Sequence, residues 1–234
     1  MDVLPPYRIR VSGRARRARL TVDPGGEVEV VLPRGAPARL AAELVRSHRG
    51  WIEARRAPAR ARRAHPRLGL APRLVALRAA GEAWRVVCDP AAPPGLREEA
   101  GARTLRLGGE AARRPARWLQ AWLGERARAL LPALVAAQAE RTGLRPARVT
   151  VRAQRTRWGS CSAAGTVSLN RNLLLLPRWL VRYLIVHELA HLRHLDHSDA
   201  FWAEVARHEP RWRRAERALR RQVLPLWSLP ACGR

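Results

Sequence analysis

The stretch HELAH at residues 187–191 constrains this chain more than any other part of its sequence. Residues four apart share one face of an α-helix, so His187 and His191 can point their imidazoles at one metal ion. Glu188 is then placed to take a proton from a water that the metal activates. A third ligand just past the helix, such as His197, would leave the fourth tetrahedral position open. That arrangement is typical of a catalytic zinc, because a structural zinc closes its shell with protein ligands.

The surrounding sequence favours a metal site over a chance match. Residues 179–192 have helical spacing and are apolar on nearly all sides, so this helix should be buried. Buried histidines need polar partners, and a metal ion is one such partner. Four of the seven histidines of the chain lie between residues 187 and 197.

The composition is strongly basic. The chain has 234 residues and a net charge of +26, and it contains arginine but no lysine. Such a charge attracts polyanions at low salt, which predicts a weak affinity for nucleic acids. The abundance of arginine and alanine is also typical of GC-rich coding, so a solvated arginine surface is the simpler interpretation.

No segment of the sequence predicts export or membrane insertion. The first residues lack the basic start and apolar run of a signal peptide, and no apolar run reaches the roughly 18 residues that span a bilayer. The three cysteines are widely separated and form no C-x-x-C pair, which argues against a disulfide scaffold or a cysteine zinc site. We therefore expect a cytoplasmic protein without a membrane partner.

Residues 1–110 are predicted to form an antiparallel β-rich module that carries one helix, over 38–57. A turn at 23–26 and a proline-containing linker at 55–67 separate its parts, and residues 89–102 are expected to form a loop. Runs that alternate with the period of a strand lie at 7–11, 20–22, 28–32, 73–78, 82–88 and 104–107.

Residues 111–234 are predicted to form a helical domain with a small sheet. A long helix over 112–142 should end at Gly143. Two strands, around 149–151 and over 166–170, flank a turn-rich stretch. The metal helix follows, and two further helices should begin at Ser198 and at Trp212.

Several motifs agree in order and spacing with one family. They are RWGSC at 157–161, Leu169-Asn170, VHELAHL at 186–192, His197-Ser198 and Phe201-Trp202. Together they resemble the YgjP-like metallopeptidase family of predicted metal-dependent hydrolases, which are similar to the zincin-type SprT-like and WLM proteases. The start of the chain is also similar to the β-rich N-terminal region of that family.

The resemblance implies an α+β fold in which the β-rich module precedes a zincin-like metallohydrolase domain. It assigns the metal ligands to His187, His191 and His197, and the general base to Glu188. The implied cofactor is one Zn²⁺ ion, for which other divalent metals could substitute. The implied substrate is a peptide or protein.

Two other residues compete with His197 as the third ligand. His194 would share the ligand face if the helix continued regularly, and Glu204 lies in the next predicted helix. Two histidines from a helix and one from the following turn approach tetrahedral geometry more easily than three along one axis. We therefore favour His197.

The WGSC turn at 158–161 has two interpretations. Its backbone or Ser160 could contact substrate beside the metal, or Trp158 and Cys161 could simply fill the core. The resemblance further implies an edge strand at 167–170, which could pair with an extended peptide. Asn170, at the end of that strand, could polarise a substrate carbonyl.

A zinc-dependent hydrolase, most simply a metallopeptidase with Glu188 as general base, is the leading prediction. The same chemistry could cleave a phosphoanhydride, and the arginines would suit a nucleotide. A metal-dependent nucleoside triphosphate phosphohydrolase or pyrophosphatase is therefore the alternative enzyme. The non-enzyme alternative, a basic nucleic-acid-binding protein with a structural metal, lacks the common nucleic-acid-binding signatures.

Overall fold

The structure is a computed structural model that describes residues 4–22, 26–53, 55–56, 71–154 and 157–229. Within these residues the chain forms α-helices and three small mixed sheets, which confirms the predicted α+β class. It divides into two compact units, residues 1–69 with 231–234, and residues 70–230. Among the described helices, none combines the length and the apolar character needed to cross a membrane.

The first unit contains one sheet and a helical segment. The elements are β1 (Tyr7–Ser12), β2 (Arg19–Val22), β3 (Val28–Pro33) and α1 (Arg39–Ser47), followed by further helical residues at 49–53 and 55–56. The strand order is β1-β3-β2. Because β2 occupies one edge of β3 as an antiparallel partner, β1 joins the other edge, where it runs parallel. The expectation of an antiparallel β-rich module over residues 1–110 was therefore wrong for two pairs of strands: β1 with β3, and Glu82–Asp89 with Thr104–Gly108 in the second unit.

Two expectations for this unit fall on undescribed positions. Residues 23–25 of the predicted turn and residues 57–67 of the predicted linker lie outside the described residues. The core of the unit consists of apolar side chains from β3 and the helical segment, namely Val28, Val30, Leu32, Ala41, Val45 and Ile52.

The second unit begins with a four-stranded sheet of order β4-β5-β7-β6. Its strands are β4 (Leu74–Leu77), β5 (Glu82–Asp89), β6 (Gly95–Glu99) and β7 (Thr104–Gly108). The prediction of a loop over 89–102 was wrong for β6. This edge strand has little alternation of its own, but it pairs antiparallel with β7, and its Glu98 accepts a 2.8 Å hydrogen bond from Trp122 Nε1.

The core of the second unit is continuous across residue 110. Leu105 and Leu107 of β7 are buried in the same cluster as Leu119 and Leu123 from the helix that follows. A domain boundary at residue 110 stays a prediction. The chain passes from the first compact unit to the second between residues 69 and 70.

A proline divides the long helix that was predicted over 112–142. The structure has a short α2 (Glu110–Arg113) and a long α3 (Pro115–Thr142). A residue before proline disfavours the helical backbone, and Arg114 has φ −129° and ψ 58°. Gly143 ends α3 in the left-handed conformation, with φ 72°, as predicted.

The third sheet contains β8 (Arg148–Arg152), β9 (Gly159–Cys161) and β10 (Thr166–Asn170), in the order β8-β10-β9. Strand β10 is central, parallel to β8 and antiparallel to β9. The expectation that residues 167–170 form an edge strand was therefore wrong. The edge strands are β8 and β9, and β9 arises from the stretch that was predicted to be a turn.

Three helices complete the unit after a 3-10 turn at Arg171–Leu175. They are α4 (Arg178–Ala190), α5 (Asp199–His208) and α6 (Trp212–Arg220). Helix α4 packs against α3, α5, α6 and strand β9, so it lies at the centre of this unit.

Candidate metal centre

Helix α4 holds the HELAH stretch inside the core. Pro177 precedes the helix, and its carbonyl accepts hydrogen bonds from the N–H groups of Leu180 at 2.9 Å and Val181 at 3.2 Å. Apolar side chains are buried on nearly all sides, namely Leu180, Val181, Leu184, Ile185, Val186, Leu189 and Ala190. His191 directly follows the helix and keeps a helical backbone, so it lies one turn beyond His187. The two imidazole centroids are 5.1 Å apart.

The chain reverses after α4 and brings a third imidazole to the other two. The His197 ring lies 5.1 Å from the His187 ring and 4.8 Å from the His191 ring, between centroids. One ligand atom from each histidine lies within 4.8 Å of the others. The Nε2 atoms of His187 and His197 are 3.2 Å apart, and two nitrogens on one tetrahedral zinc lie about 3.4 Å apart. The three residues therefore fit a single ion.

A main-chain contact fixes the protonation of His191. Its Nδ1 lies 2.9 Å from the carbonyl oxygen of His194. A carbonyl only accepts, so Nδ1 carries the proton and Nε2 presents its lone pair for a metal. His194 thus contributes to the site through its backbone, and its side chain does not belong to the cluster of possible ligands.

The imidazole of His187 is kept neutral. Burial, together with the neighbouring His191 and His197, lowers the pKa of His187 to about 4. Its Nδ1 is buried and has no hydrogen-bond partner within the described residues. A metal ligand must be unprotonated at the binding nitrogen, so this environment suits coordination through Nε2.

Aromatic side chains of α5 support the three imidazoles. Phe201 is fully buried and stacks on the His191 ring at 4.4 Å, with an interplanar angle of 26°. The Phe201 ring also makes edge contacts with His187 and His197, with centroids 4.9 Å and 4.7 Å away. Trp202 lies 5.7 Å from both of these rings.

Glu188 lies beside the histidines and is almost completely buried, with 4% of its surface exposed. Burial, offset in part by the Arg157 guanidinium, raises the pKa of Glu188 to about 7. A carboxylate with a pKa close to neutral pH suits a general base, because it can both accept and return a proton.

His187, His197 and Glu188 share one cleft of about 430 Å³ with aromatic and charged side chains. The lining residues are Arg157, Trp158, Gly159, Leu184, His187, Glu188, His197, Trp202, Glu216, Leu219 and Arg220. Strand β9 thus reaches the cleft through Gly159, and the loop before it through Arg157 and Trp158.

Comparison with known proteins assigns this arrangement to a family. Residues 16–222 match the family model of the YgjP-like metallopeptidase domain. The chain belongs to this family. The match spans all four candidate site residues and confirms the resemblance seen in the sequence. In general terms, this member of the YgjP-like family is therefore a metal-dependent peptidase.

Two further comparisons add little to the family assignment. The crystal structure of the metallopeptidase zymogen of Pyrococcus abyssi abylysin is similar to part of this YgjP-like chain, with 27% identity and a TM-score of 0.36. That match covers 38% of this chain and 91% of the other. No curated protein gives a significant match.

The competing ligand Glu204 is engaged elsewhere. It is 5% exposed and accepts hydrogen bonds from Arg193 at 3.2 Å and from His208 at 3.0 Å, with Arg207 at 3.6 Å. The two guanidinium groups neutralise its buried charge, and Glu204 does not belong to the cluster of possible ligands among the described residues.

Asn170 is also fully used by the fold. Its side-chain amide donates to the carbonyls of Gln154 at 2.8 Å and Arg157 at 2.9 Å, and its Oδ1 accepts from the N–H of Asn172 at 3.0 Å. No amide N–H is left to polarise a substrate carbonyl, so that expectation was wrong. Asn170 instead holds the loop that carries Arg157 into the cleft.

The sequence did not predict the hydrogen-bonded group of Tyr183, Glu216 and Arg220 near His187. The Tyr183 hydroxyl donates to Glu216 Oε2 at 2.6 Å, and Arg220 donates to Glu216 Oε1 at 2.9 Å. The negative charge of Glu216 raises the pKa of His187, against the larger effect of burial. Glu216 follows the HELAH stretch by a whole helix, and no local spacing connects the two.

Cys161 shows no sign of being a nucleophile. Burial raises the pKa of its thiol, and the nearby Glu188 carboxylate raises it further. A thiol that stays protonated is a poor nucleophile, and Cys161 packs against the core instead.

Proposed function

We propose that this chain is a zinc-dependent peptidase in which His187, His191 and His197 hold the ion and Glu188 is the general base. The observation that carries the proposal is the convergence of three imidazoles beside one buried carboxylate. When bound, zinc supplies a Lewis acid that lowers the pKa of water to about 7. Three protein ligands leave a tetrahedral position open, as catalysis requires.

Glu188 performs the proton transfers. Its carboxylate takes a proton from the attacking water and returns it to the leaving amine of the cleaved peptide. Without the ion, burial raises the pKa of Glu188 to about 7, and the charge of a bound zinc would favour the carboxylate form from which a general base starts.

Within the described part of the chain no strand pairs with the outer edge of β9, and this edge suits an extended peptide. The N–H of Asn170 donates to the carbonyl of Trp158 at 2.8 Å, and Ser160 lies opposite Ser168. In an antiparallel pair the intervening residues point their backbone groups the other way, so those of Gly159 and Cys161 face away from β10. A peptide that adds to this edge lies beside Glu188, with its own backbone groups paired.

The proposal is tested by cleavage of an unstructured protein. The zinc-loaded wild type is incubated with fluorescently labelled casein and compared with Glu188→Gln. The variant should retain one zinc per chain and lose cleavage, because an amide binds no proton at neutral pH. Glu125→Gln, at an exposed position on α3, is the matched control and should cleave as the wild type does.

A nucleoside triphosphate hydrolase remains the second candidate because of the cations in the cleft. Arg157 and Arg220 both line it; Arg220 is paired with Glu216 at 2.9 Å, and the charge of Arg157 acts on Glu188. One guanidinium group can donate two parallel hydrogen bonds to the oxygens of a phosphate. Release of phosphate or pyrophosphate from ATP, without cleavage of casein, would support this candidate over a peptidase.

The cellular setting remains a prediction. The cytoplasmic location and the weak nucleic-acid affinity follow from the sequence alone. Affinity for a random DNA duplex that persists in 200 mM salt would indicate a defined site, whereas complete loss would indicate only contact between arginines and phosphates.

A further inference from the structure

The first residue of β9 lies against the carboxylate of Glu188. A Cβ atom on Gly159 would lie 2.6 Å from Glu188 Oε1, and 2.9 Å from both Cδ and Cγ. Packed carbon and oxygen atoms do not approach this closely, so a side chain at this position requires one of the two residues to move. Gly159 does not have a positive φ. Glycine is therefore required here by lack of space and not by backbone conformation.

The strand is held in place from several directions. Gly159 lies opposite Leu169, which is fully buried in the centre of the sheet. The carbonyl of Trp158 accepts a hydrogen bond from the backbone of Asn170. The side chain of Asn170 in turn holds the carbonyl of Arg157. A displacement of β9 would break these hydrogen bonds, which are costly to lose inside a protein.

The glutamate would therefore have to move instead. The close contacts involve Cγ, Cδ and Oε1, so a rotation of the terminal carboxylate alone would not relieve them. Glu188 is also 4% exposed and borders the cleft, so relief of the contacts requires its whole side chain to turn away from its present place. A methyl group on Gly159 would thus displace the carboxylate relative to the imidazoles of His187 and His197.

We propose that Gly159 is a positioning residue, whose missing side chain leaves the space in which the Glu188 carboxylate is held beside the three histidines. This inference rests on the proposed function, since it concerns the general base of that reaction. It gives the RWGSC stretch a role that is distinct from both earlier interpretations. The stretch does not need to contact substrate through Ser160, and it does more than fill the core through Trp158.

Steady-state kinetics on labelled casein test this role. In the zinc-loaded Gly159→Ala variant, kcat should fall about 100-fold, because a displacement of about 1 Å in a catalytic site can cost that much. KM should stay within about twofold, and one zinc per chain should be retained, since no ligand is moved. The matched control is Gly101→Ala, where an added Cβ has no atom within 4 Å. It should behave as the wild type.

A thermal double-mutant cycle tests the same contact without any substrate. Gly159→Ala should lower the Tm by about 5 °C when Glu188 is present, as expected for overpacking of a buried site. In a Glu188→Ala background the added methyl has room, and the loss of Tm should largely disappear. An equal loss in both backgrounds would overturn the inference.

The two claims fail in different ways. A wild type that binds no zinc or does not cleave casein overturns the proposed function. An active wild type whose Gly159→Ala variant keeps its kcat, or loses its zinc, overturns only the role of Gly159.

Discussion

The Nε2 atoms of His187 and His197 lie 3.2 Å apart, although ten positions of sequence separate the two residues. Two nitrogen atoms at this distance are joined either by one shared proton or by one shared ion. With His191 beside them, the second alternative accounts for all three imidazoles together. The position of His197 depends on the reversal of the chain after α4, which also places the carbonyl of His194 against His191.

This reversal predicts different results for two nearby substitutions. His197→Ala removes a ligand and should weaken zinc binding by more than about 100-fold, beyond the usual effect of residues that only orient ligands. His194→Ala leaves the backbone carbonyl in place and should bind zinc nearly as the wild type does. Competition with a chromophoric chelator measures both affinities. A larger loss in His194→Ala would contradict the assignment of the third ligand.

The stacking of Phe201 on His191 predicts that zinc affinity depends on an aromatic ring. Phe201→Ala should lower the free energy of unfolding by about 3–5 kcal/mol and zinc affinity by about 10-fold. Phe201→Leu should recover much of the stability, because it refills the volume, but less of the affinity. Urea unfolding and chelator competition separate the two effects. Wild-type affinity in Phe201→Ala would show that the ring only fills space.

The buried carboxyl of Glu188 predicts how the stability of the metal-free protein changes in the neutral range. Its pKa is about 7 in the folded protein, against 4.5 for an ordinary glutamate. The folded protein thus holds this proton more tightly than the unfolded chain does. The resulting stabilisation is present below pH 4.5 and is lost as the pH rises through 7.

The matching experiment compares urea unfolding of the wild type and of Glu188→Gln, both with a chelator, from pH 4.5 to pH 8. Relative to the variant, the wild type should lose about 3 kcal/mol of unfolding free energy over this range. Parallel pH profiles would show that Glu188 is not buried as a protonated acid.

The lowered pKa of His187 predicts that the stability of the metal-free protein changes in the opposite direction at acidic pH. Its pKa is lowered to about 4, against 6.5 for an ordinary histidine. Its contribution to stability is therefore present above pH 6.5 and lost as the pH falls through 4. In the metal-free protein, His187→Asn should remove part of the loss of stability on acidification. An unchanged acid limb in a thermal unfolding series would contradict this.

The sequence predicted those parts of the site that depend on local spacing. His187 and His191 share a helix face because they are four residues apart, and the apolar surroundings of that helix indicate that it is buried. Strand β9 could not be recognised in the same way. It has three residues, includes a glycine and a serine, and becomes a strand only because β10 lies beside it.

The roles of Gly159, Phe201 and Glu216 could not be predicted from the sequence for the same physical reason. Each acts through a contact with a residue on another element, and one sequence gives no distance between elements. Phe201 came closest, since it lies four positions after His197 and in the first turn of α5. Edge strand β6 was likewise hidden, because its hydrogen bonds come from β7 and not from a pattern of its own.

The central claim is that three histidines hold one zinc with an open position beside Glu188. Anomalous diffraction at the zinc edge from crystals grown with Zn²⁺ tests it most directly. We predict a single zinc peak with nitrogen ligands from His187, His191 and His197 at about 2.0–2.1 Å, and no fourth protein ligand. A zinc bound at other residues, or closed by a fourth side chain, would contradict the account.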